Sequence, residues 1–584
     1  MGGRLELRRL IIHNFRGLKH FDWRIPEDKK LICLIGPGDS GKSTVLDAIS
    51  WLLGDRWSLP VSVFDFHDEA KPIVIEGILT DLPAELIGFE SWGLFLCGVD
   101  DRCDDTGEPS DGFMEGVHIR LTIGESFEPT WELIRKGFEE AKQVRASERA
   151  KLGVVKLDER IDSHLRWSNT SALSKVTKDA GGAKTALREA TCAARDAMRD
   201  MKLSPELSDA LSSVREHAQS IGAKRFKELR PGVDLSNGQY GGVSLHSGDV
   251  PLSSYGLGTK RLTALAIQRS SASTKTTFLI DELESGLEPH RTIGLLEAFR
   301  GDSLVSQTIM TTHSQTVVEN CEAGELAIMI PSDGGHVARF IPQELEYLHR
   351  SNPSPFLSRR IIVVEGSTEE GLMRVLLRRE DASRRAKGAV TSPALGVSLC
   401  NGNGGSSSCR KTREFVGMGY EACLVIDSDD DATNKKVEEV KKLGIPVHQW
   451  PGGADVELAL LRLLDKGELV DLLVAVVEEG VVTENAMRKD LEETGTFLDG
   501  DPLLHESWDR YEGEEMRKAI HRACTREKDG RDKGWFKTVR YGAFLGDWLS
   551  NALDCTMGEA DKRLAPCFGD ICEFAYGLGN HGDE

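Results

Sequence analysis

One stretch constrains this chain more than any other. An apolar run over 30–35 leads into Gly36-Pro37-Gly38-Asp39-Ser40-Gly41-Lys42-Ser43, and helix-forming sequence follows over 45–53. The pattern GxxxxGK[ST] works only between a strand and a helix, because its backbone N–H groups must wrap phosphate oxygens at a helix N-terminus. An α/β core is therefore required. Gly36, Gly38 and Gly41 free the loop backbone, and Lys42 is expected to reach the β- and γ-phosphates of ATP. Ser43 is placed to ligate Mg²⁺, with Thr44 next on the helix.

A chain of 584 residues exceeds one hydrophobic core, so two to four domains are expected. No apolar run reaches membrane-spanning length, and the first residues lack a signal-peptide pattern. The twelve cysteines form no CxxC pair and no zinc spacing, which fits a reducing cytoplasm. Taken alone, the net charge of −21 argues against nucleic-acid binding, which usually shows a basic footprint. Screening acts within about 8 Å at physiological salt, so a local basic groove remains compatible with an acidic whole.

Residues 5–14, 73–79 and 117–123 read as further strands. From 135 to 230 the sequence turns charged and Ala-rich, interrupted by Gly181-Gly182 and Pro205, and predicts a helical insertion that is either a solvated hairpin or a dimerisation module. Residues 1–134 and 231–352 are assigned to one α/β domain around that insertion. Ser351-Asn352-Pro353-Ser354-Pro355 reads as a linker, and 357–584 as a second α/β domain with a C-terminal extension.

A second acidic element complements the loop. Thr277-Phe278-Leu279-Ile280 ends in Asp281-Glu282, with Asp281 on the metal side and Glu282 as general base. Leu252-Ser253-Ser254-Tyr255-Gly256-Leu257-Gly258 resembles the signature motif of ABC-type ATPases, carried by Ser254, Gly256 and Gly258. Thr311-Thr312-His313 resembles their switch histidine, and Ser285-Gly286-Leu287-Glu288-Pro289 their D-loop. In that family the signature contacts the γ-phosphate held by the other subunit, which implies a homodimer or higher homo-oligomer. Asn14-Phe15-Arg16-Gly17 resembles the opening strand of RecF- and SMC-type DNA-repair ATPases, although no long heptad arm is present.

The second half carries other chemistry. An apolar strand at 361–364 delivers Glu365 into a Gly366 turn with Glu369 beyond. A second strand at 423–426 delivers Asp427-Ser428-Asp429. In a doubly wound sheet such strand ends share one edge, where carboxylates repel unless cations intervene. Hard oxygen donors suit Mg²⁺ or Mn²⁺. A strand over 445–450 precedes Asp455 and Glu457, which either complete a second metal position or stabilise a helix N-terminus. Two metals about 4 Å apart activate water and stabilise a leaving oxygen. Asn401-Gly402-Asn403-Gly404-Gly405-Ser406-Ser407-Ser408 is either a backbone-lined phosphate contact or a flexible turn. Lys537 offers a cation for a scissile phosphate, and Trp535 and Phe536 either stack on a base or pack in the core.

The Glu365 and Asp427-x-Asp429 strands resemble the Toprim domain. An ABC-type ATPase with a helical insertion followed by Toprim resembles the OLD (overcoming lysogenisation defect) nucleases, and Gabija anti-phage nucleases share the arrangement. The resemblance covers essentially the whole chain in domain order. It implies metal-dependent DNA nicking or cleavage, with Glu365, Glu369, Asp427, Asp429 and Glu457 as metal acids, Asp455 less secure, and Lys537 as the late lysine. The expected function is an ATP-regulated DNA endonuclease of bacterial defence or DNA processing, with a helicase or other defence protein as partner and no membrane role. The alternatives are a topoisomerase- or primase-like enzyme and a non-cleaving RecF/SMC-like ATPase. None of the seven tyrosines has a recognisable nucleophile context, and no zinc module supports a primase.

Overall fold

The structure, a computed structural model, describes residues 5–27, 29–157, 251–271, 276–303, 305–332, 335–528, 531–532, 534–553 and 565–577, with a few isolated positions between. Two compact units emerge. The first takes Met1–Arg16, Arg24–Ile32 and Ser43–Thr311, and the second Gly17–Trp23, Cys33–Lys42 and Thr312–Glu584. Among the described residues no helix is long and apolar enough to cross a membrane.

The strands begin with β1 (Glu6–Phe15), β2 (Leu18–Arg24), β3 (Leu31–Ile35), β4 (Ile73–Thr80), β5 (Leu96–Val99) and β6 (Met114–Ile123). There follow β7 (Pro129–Arg135), β8 (Phe138–Gln143), β9 (Val154–Leu157), β10 (His246–Ser247), β11 (Val250–Pro251), β12 (Thr276–Ile280) and β13 (Val305–Thr311). The last are β14 (Leu326–Ser332), β15 (Gly335–Phe340), β16 (Arg360–Val364), β17 (Val397–Asn401), β18 (Glu421–Ile426) and β19 (Val447–Gln449).

In the first unit, β1 pairs antiparallel with β4, β4 with β6, β6 with both β5 and β7, and β7 with β8. A parallel set, β9-β12-β13, ends at Asp281 and Thr311. Every residue of β12 and β13 is buried, which explains their unalternating sequence. In the second unit, β14 pairs with β3 and β15, and β15 with β2. A separate all-parallel sheet runs β17-β16-β18-β19.

Two expectations change. The sequence predicts a helical insertion from 135, but the chain first makes β8, a short helix Ala146–Arg149 and β9, whose Val154–Leu157 joins the β12 edge. The buried Arg149 explains that turn: its guanidinium donates to the carbonyls of Gly54, Val144 and Arg56 and lies over the Trp131 ring. The rest of the insertion falls almost wholly outside the described residues. Ser351–Pro355 is no extended linker either, since Ser354–Leu357 forms a 3-10 turn with Pro355 and Phe356 buried, inside the second unit.

The C-terminal extension belongs to the core around the parallel sheet. Ile362, Val364 and Val425 pack in one cluster with Met516, Trp535, Phe536 and Leu545. Fully burying one such aliphatic side chain stabilises by about 1.5–3 kcal/mol. Trp535 and Phe536 are thereby core residues; Trp535 Nε1 donates to Asp490 at 3.1 Å. The helix Val539–Ala552 crosses the helix Ser367–Ala386 with small residues at the contact, Gly371 against one backbone and Gly542 against the other.

Candidate functional site

The phosphate loop is shaped by its surroundings. Gly36 (φ 135) and Gly41 (φ 87) lie in the left-handed region. A Cβ at Gly36 would meet the Met329 carbonyl oxygen at 2.8 Å, and one at Gly41 would meet Leu18 Cδ2 at 2.9 Å. Around Gly38 nothing lies within 4 Å. Lys42 is buried, and its Nζ donates to Gly36 O (3.1 Å), Pro37 O (2.7 Å) and Ser40 Oγ (3.3 Å). Those oxygens fill the coordination that phosphate oxygens would take.

In the first unit, the helix Lys42–Leu53 presents Ser43, whose Oγ donates to Asp281 Oδ1 at 2.9 Å. Thr311, at the end of β13, donates to the same oxygen at 2.7 Å. Thr311 Oγ1 also accepts the Glu282 N–H at 2.8 Å, which helps hold Glu282 at φ 49. Thr311 thus holds the Asp281 carboxylate and the Glu282 backbone, and a Mg²⁺ at Ser43 and Asp281 would displace only a hydroxyl–carboxylate bond. Glu282, Ser254, Gly256 and His313 are exposed, and Thr44 is half-buried. Gly258 is buried, because a Cβ there would stand 2.4 Å from the Gly286 carbonyl oxygen. The helix Leu257–Ser271 therefore rests directly on the 285–289 segment.

The acids of the second unit converge at the carboxyl edge of the parallel sheet. Glu365 follows β16, and its Oε2 accepts the N–H of Asp427, which follows β18, at 3.0 Å. Asp427 Oδ1 accepts the Val456 N–H at 3.0 Å. Glu369 sits one turn into the helix Ser367–Ala386, and its Oε2 accepts the Gly366 N–H at 3.1 Å. Glu457 is buried in the helix Val456–Leu461; its Oε1 lies 3.2 Å from Thr368 Oγ1 and 3.3 Å from Lys537 Nζ. Asn401–Gly405 forms the turn between β17 and the helix Gly405–Met418, with the Gly404 N–H on the Glu365 carbonyl at 2.9 Å.

Electrostatics ties these groups together. Burial first, then the charges of Glu369, Glu365, Glu457 and Asp455, push the Asp427 carboxyl up to about 11. Burial and then Glu457 push Glu369 up to about 7. Glu365 is raised by burial, with Asp429 adding to it, and Glu457 is raised by burial against the pull of Lys537. Such a set cannot ionise together without added positive charge. One atom leaves room for a hard cation: Glu457 Oε2 is buried with no hydrogen-bond partner. Among the described residues, no three acidic, histidine or cysteine side chains already stand at ligand spacing.

Other acids differ. Asp429 is exposed beside Glu365. Asp455 caps the Val456–Leu461 helix, with Oδ1 accepting the Leu458 N–H at 2.8 Å and Oδ2 paired with His521 Nε2 at 2.6 Å. Burial would raise Asp455, but the His521 and Leu458 bonds prevail and hold it below the carboxylate range. Sequence reasoning missed Thr368, whose hydroxyl lies between Glu457 and the Phe536 carbonyl at 3.1 Å, beside Lys537. It also missed His521, which lies in a stretch without a motif. Glycines inside helices at 371 and 542 were the available sign of a close crossing.

A protein-family model described as "AAA ATPase domain" matches residues 6–90. Another, described as "AAA domain, putative AbiEii toxin, Type IV TA system", matches residues 125–319, which include Asp281, Glu282 and His313. The chain carries AAA-type ATPase sequence over both stretches. No curated protein matches this ATPase. Among solved structures, an Smc head bound to the C-winged helix domain of ScpA is similar at 18% identity, covering 59% of this chain and 99% of that one, with a TM-score of 0.34. The Smc head domain with an extended coiled coil from Pyrococcus furiosus follows at 15% identity, 59% and 98% coverage and a TM-score of 0.34. RecF-ATP of the RecFOR pathway stands at 14% identity, 58% and 99% coverage and a TM-score of 0.33.

Proposed function

We propose that this ATPase is an ATP-regulated, divalent-metal-dependent DNA endonuclease whose phosphodiester chemistry lies at the Glu365, Glu369, Asp427 and Glu457 cluster. One observation carries the reading: Glu365, Glu369, Asp427 and Glu457 come from separate strand ends and helices to one sheet edge, where Glu365 accepts the Asp427 N–H at 3.0 Å and burial, then the neighbouring charges, raise the Asp427 carboxyl. A scaffold has no use for such repulsion, whereas cation binding relieves it.

Glu365, Glu369, Asp427 and Glu457 would hold one or two Mg²⁺ or Mn²⁺ ions, with Asp429 at the exposed rim. When bound, these ions neutralise phosphate charge and make water nucleophilic. Lys537, one-third exposed, offers its ammonium to the scissile phosphate on the solvent side. In the ATPase site Lys42 and the loop N–H groups hold the phosphates, Ser43 and Asp281 the metal, and Glu282 orients the attacking water. Exposed Tyr255 (37%) and Leu257 (44%) flank the signature glycines, as expected of a surface that meets ATP on a second copy. The enzyme acts on DNA as a homodimer or larger homo-oligomer, in defence or DNA processing in the cytoplasm, with a helicase or similar protein as partner.

A second reading, a non-cleaving ATPase, is favoured by Lys537 already pairing with Glu457 and by the lack of a preassembled ligand group among the described residues. Plasmid cleavage with and without ATP, across Mg²⁺, Mn²⁺ and Ca²⁺, separates them. The nuclease predicts nicking in Mn²⁺ or Mg²⁺; no cleavage under any condition supports the second reading.

A further inference from the structure

We propose that Asp455 and His521 form a positioning pair that sets the Glu457 carboxylate, and that Asp455 is not a metal ligand. The inference rests on the nuclease reading of this site. Both Asp455 oxygens are engaged: the helix cap takes Oδ1 at 2.8 Å and His521 takes Oδ2 at 2.6 Å. With Oδ1 turned onto the Leu458 N–H, the other oxygen faces the imidazole. Glu457, two residues on, is the opposite case, with one buried oxygen lacking any partner.

The backbone on both sides of Asp455 is stitched to the Asp427 turn. The Ala454 carbonyl accepts the Ser428 N–H at 3.0 Å, the Ala454 N–H donates to Ser428 Oγ at 2.9 Å, and Val456 N–H donates to Asp427 at 3.0 Å. His521 is held in turn. Its helix, Gly513–Cys524, buries Met516, Ala519 and Ile520, and Arg517 donates to the carbonyls of Leu461 (3.2 Å), the last residue of the Glu457 helix, and Leu464 (2.7 Å), three residues beyond it. That helix is six residues long and spans 456–461, so a cap and two carbonyl clamps determine where Glu457 points. Short helices draw little stability from their own hydrogen bonds. The C-terminal extension therefore acts on the acidic cluster through His521 and Arg517.

The test counts Mn²⁺ ions bound to the full-length protein without ATP, by electron paramagnetic resonance titration, beside plasmid nicking. Asp455→Asn and His521→Ala are expected to keep the wild-type number of ions while slowing nicking about tenfold, the usual range for an outer partner of a site. Glu457→Gln is expected to lose an ion. His521→Gln, whose amide N–H can reach the same oxygen, should recover most of the rate. Loss of an ion by Asp455→Asn, as by Glu457→Gln, overturns the pairing alone, and so does His521→Gln behaving like His521→Ala. If neither Glu457→Gln nor Asp427→Asn changes Mn²⁺ binding, the nuclease reading falls and takes the inference with it. Unchanged ATP hydrolysis confirms that each variant is folded.

Discussion

Gly542 lies against Thr368 so closely that a Cβ on the glycine would sit 2.2 Å from the Thr368 carbonyl oxygen. The two helices touch backbone to backbone there, and this contact brings Lys537, just before the second helix, to Glu457. Gly542→Ala must push the helices apart. We expect a loss of about 1–3 kcal/mol in urea unfolding, as for overpacked cores. Gly417, in a helix with nothing within 4 Å of its would-be Cβ, is the control. Gly417→Ala should stabilise by about 0.5–1 kcal/mol. Equal effects at the two sites would contradict the crossing.

The ATP site predicts a separation of binding from turnover. Lys42→Ala removes the ammonium that the loop oxygens now surround, and ATP affinity should fall by about tenfold or more. Asp281→Asn keeps the shape of the Ser43 and Thr311 contacts but lowers the charge available to Mg²⁺. Fluorescent-nucleotide binding should persist in Asp281→Asn while phosphate release stops. Normal turnover in that variant would refute its metal role.

How much of this was legible in the sequence depends on how local the signal was. The 361–364 and 423–426 runs announced β16 and β18 because a strand buried on both faces shows no alternation. Their acids followed from the strand ends. Residues 138–157 misled, since charge and alanine there suggested helix, while pairing with β7 and β12 made strands. Tertiary partners overrode propensity. Thr311, Thr368 and His521 were obscure for another reason: each acts through a partner 30, 89 or 66 residues away. Trp535 and Phe536 left two roles open until their burial decided for packing.

The antiparallel sheet of the first unit has its own pH signature. His118 lies between Glu76 and Asp105, at 3.4 and 3.5 Å. Burial opposes every charge here, yet the His118 and Arg120 contacts hold Glu76 at about 2 instead of 4.5, and both carboxylates raise His118 above 6.5. The signs follow from linkage. Glu76 contributes stability that is present above 4.5 and lost as pH falls toward about 2. His118 contributes stability that is full below 6.5 and lost as pH rises through its elevated folded value. Denaturant unfolding should therefore show a decline on the alkaline side that His118→Gln removes, with a loss of about 1–3 kcal/mol at pH 6. A variant with the wild-type pH profile would contradict the triad.

The central claim is that the carboxylates at the edge of the β16–β18 sheet cut DNA with a bound metal. The most direct measurement is nicking of supercoiled plasmid by Asp427→Ala in Mn²⁺, beside its ATP binding. The account predicts no nicking and normal ATP affinity. Nicking at the wild-type rate by Asp427→Ala would contradict it.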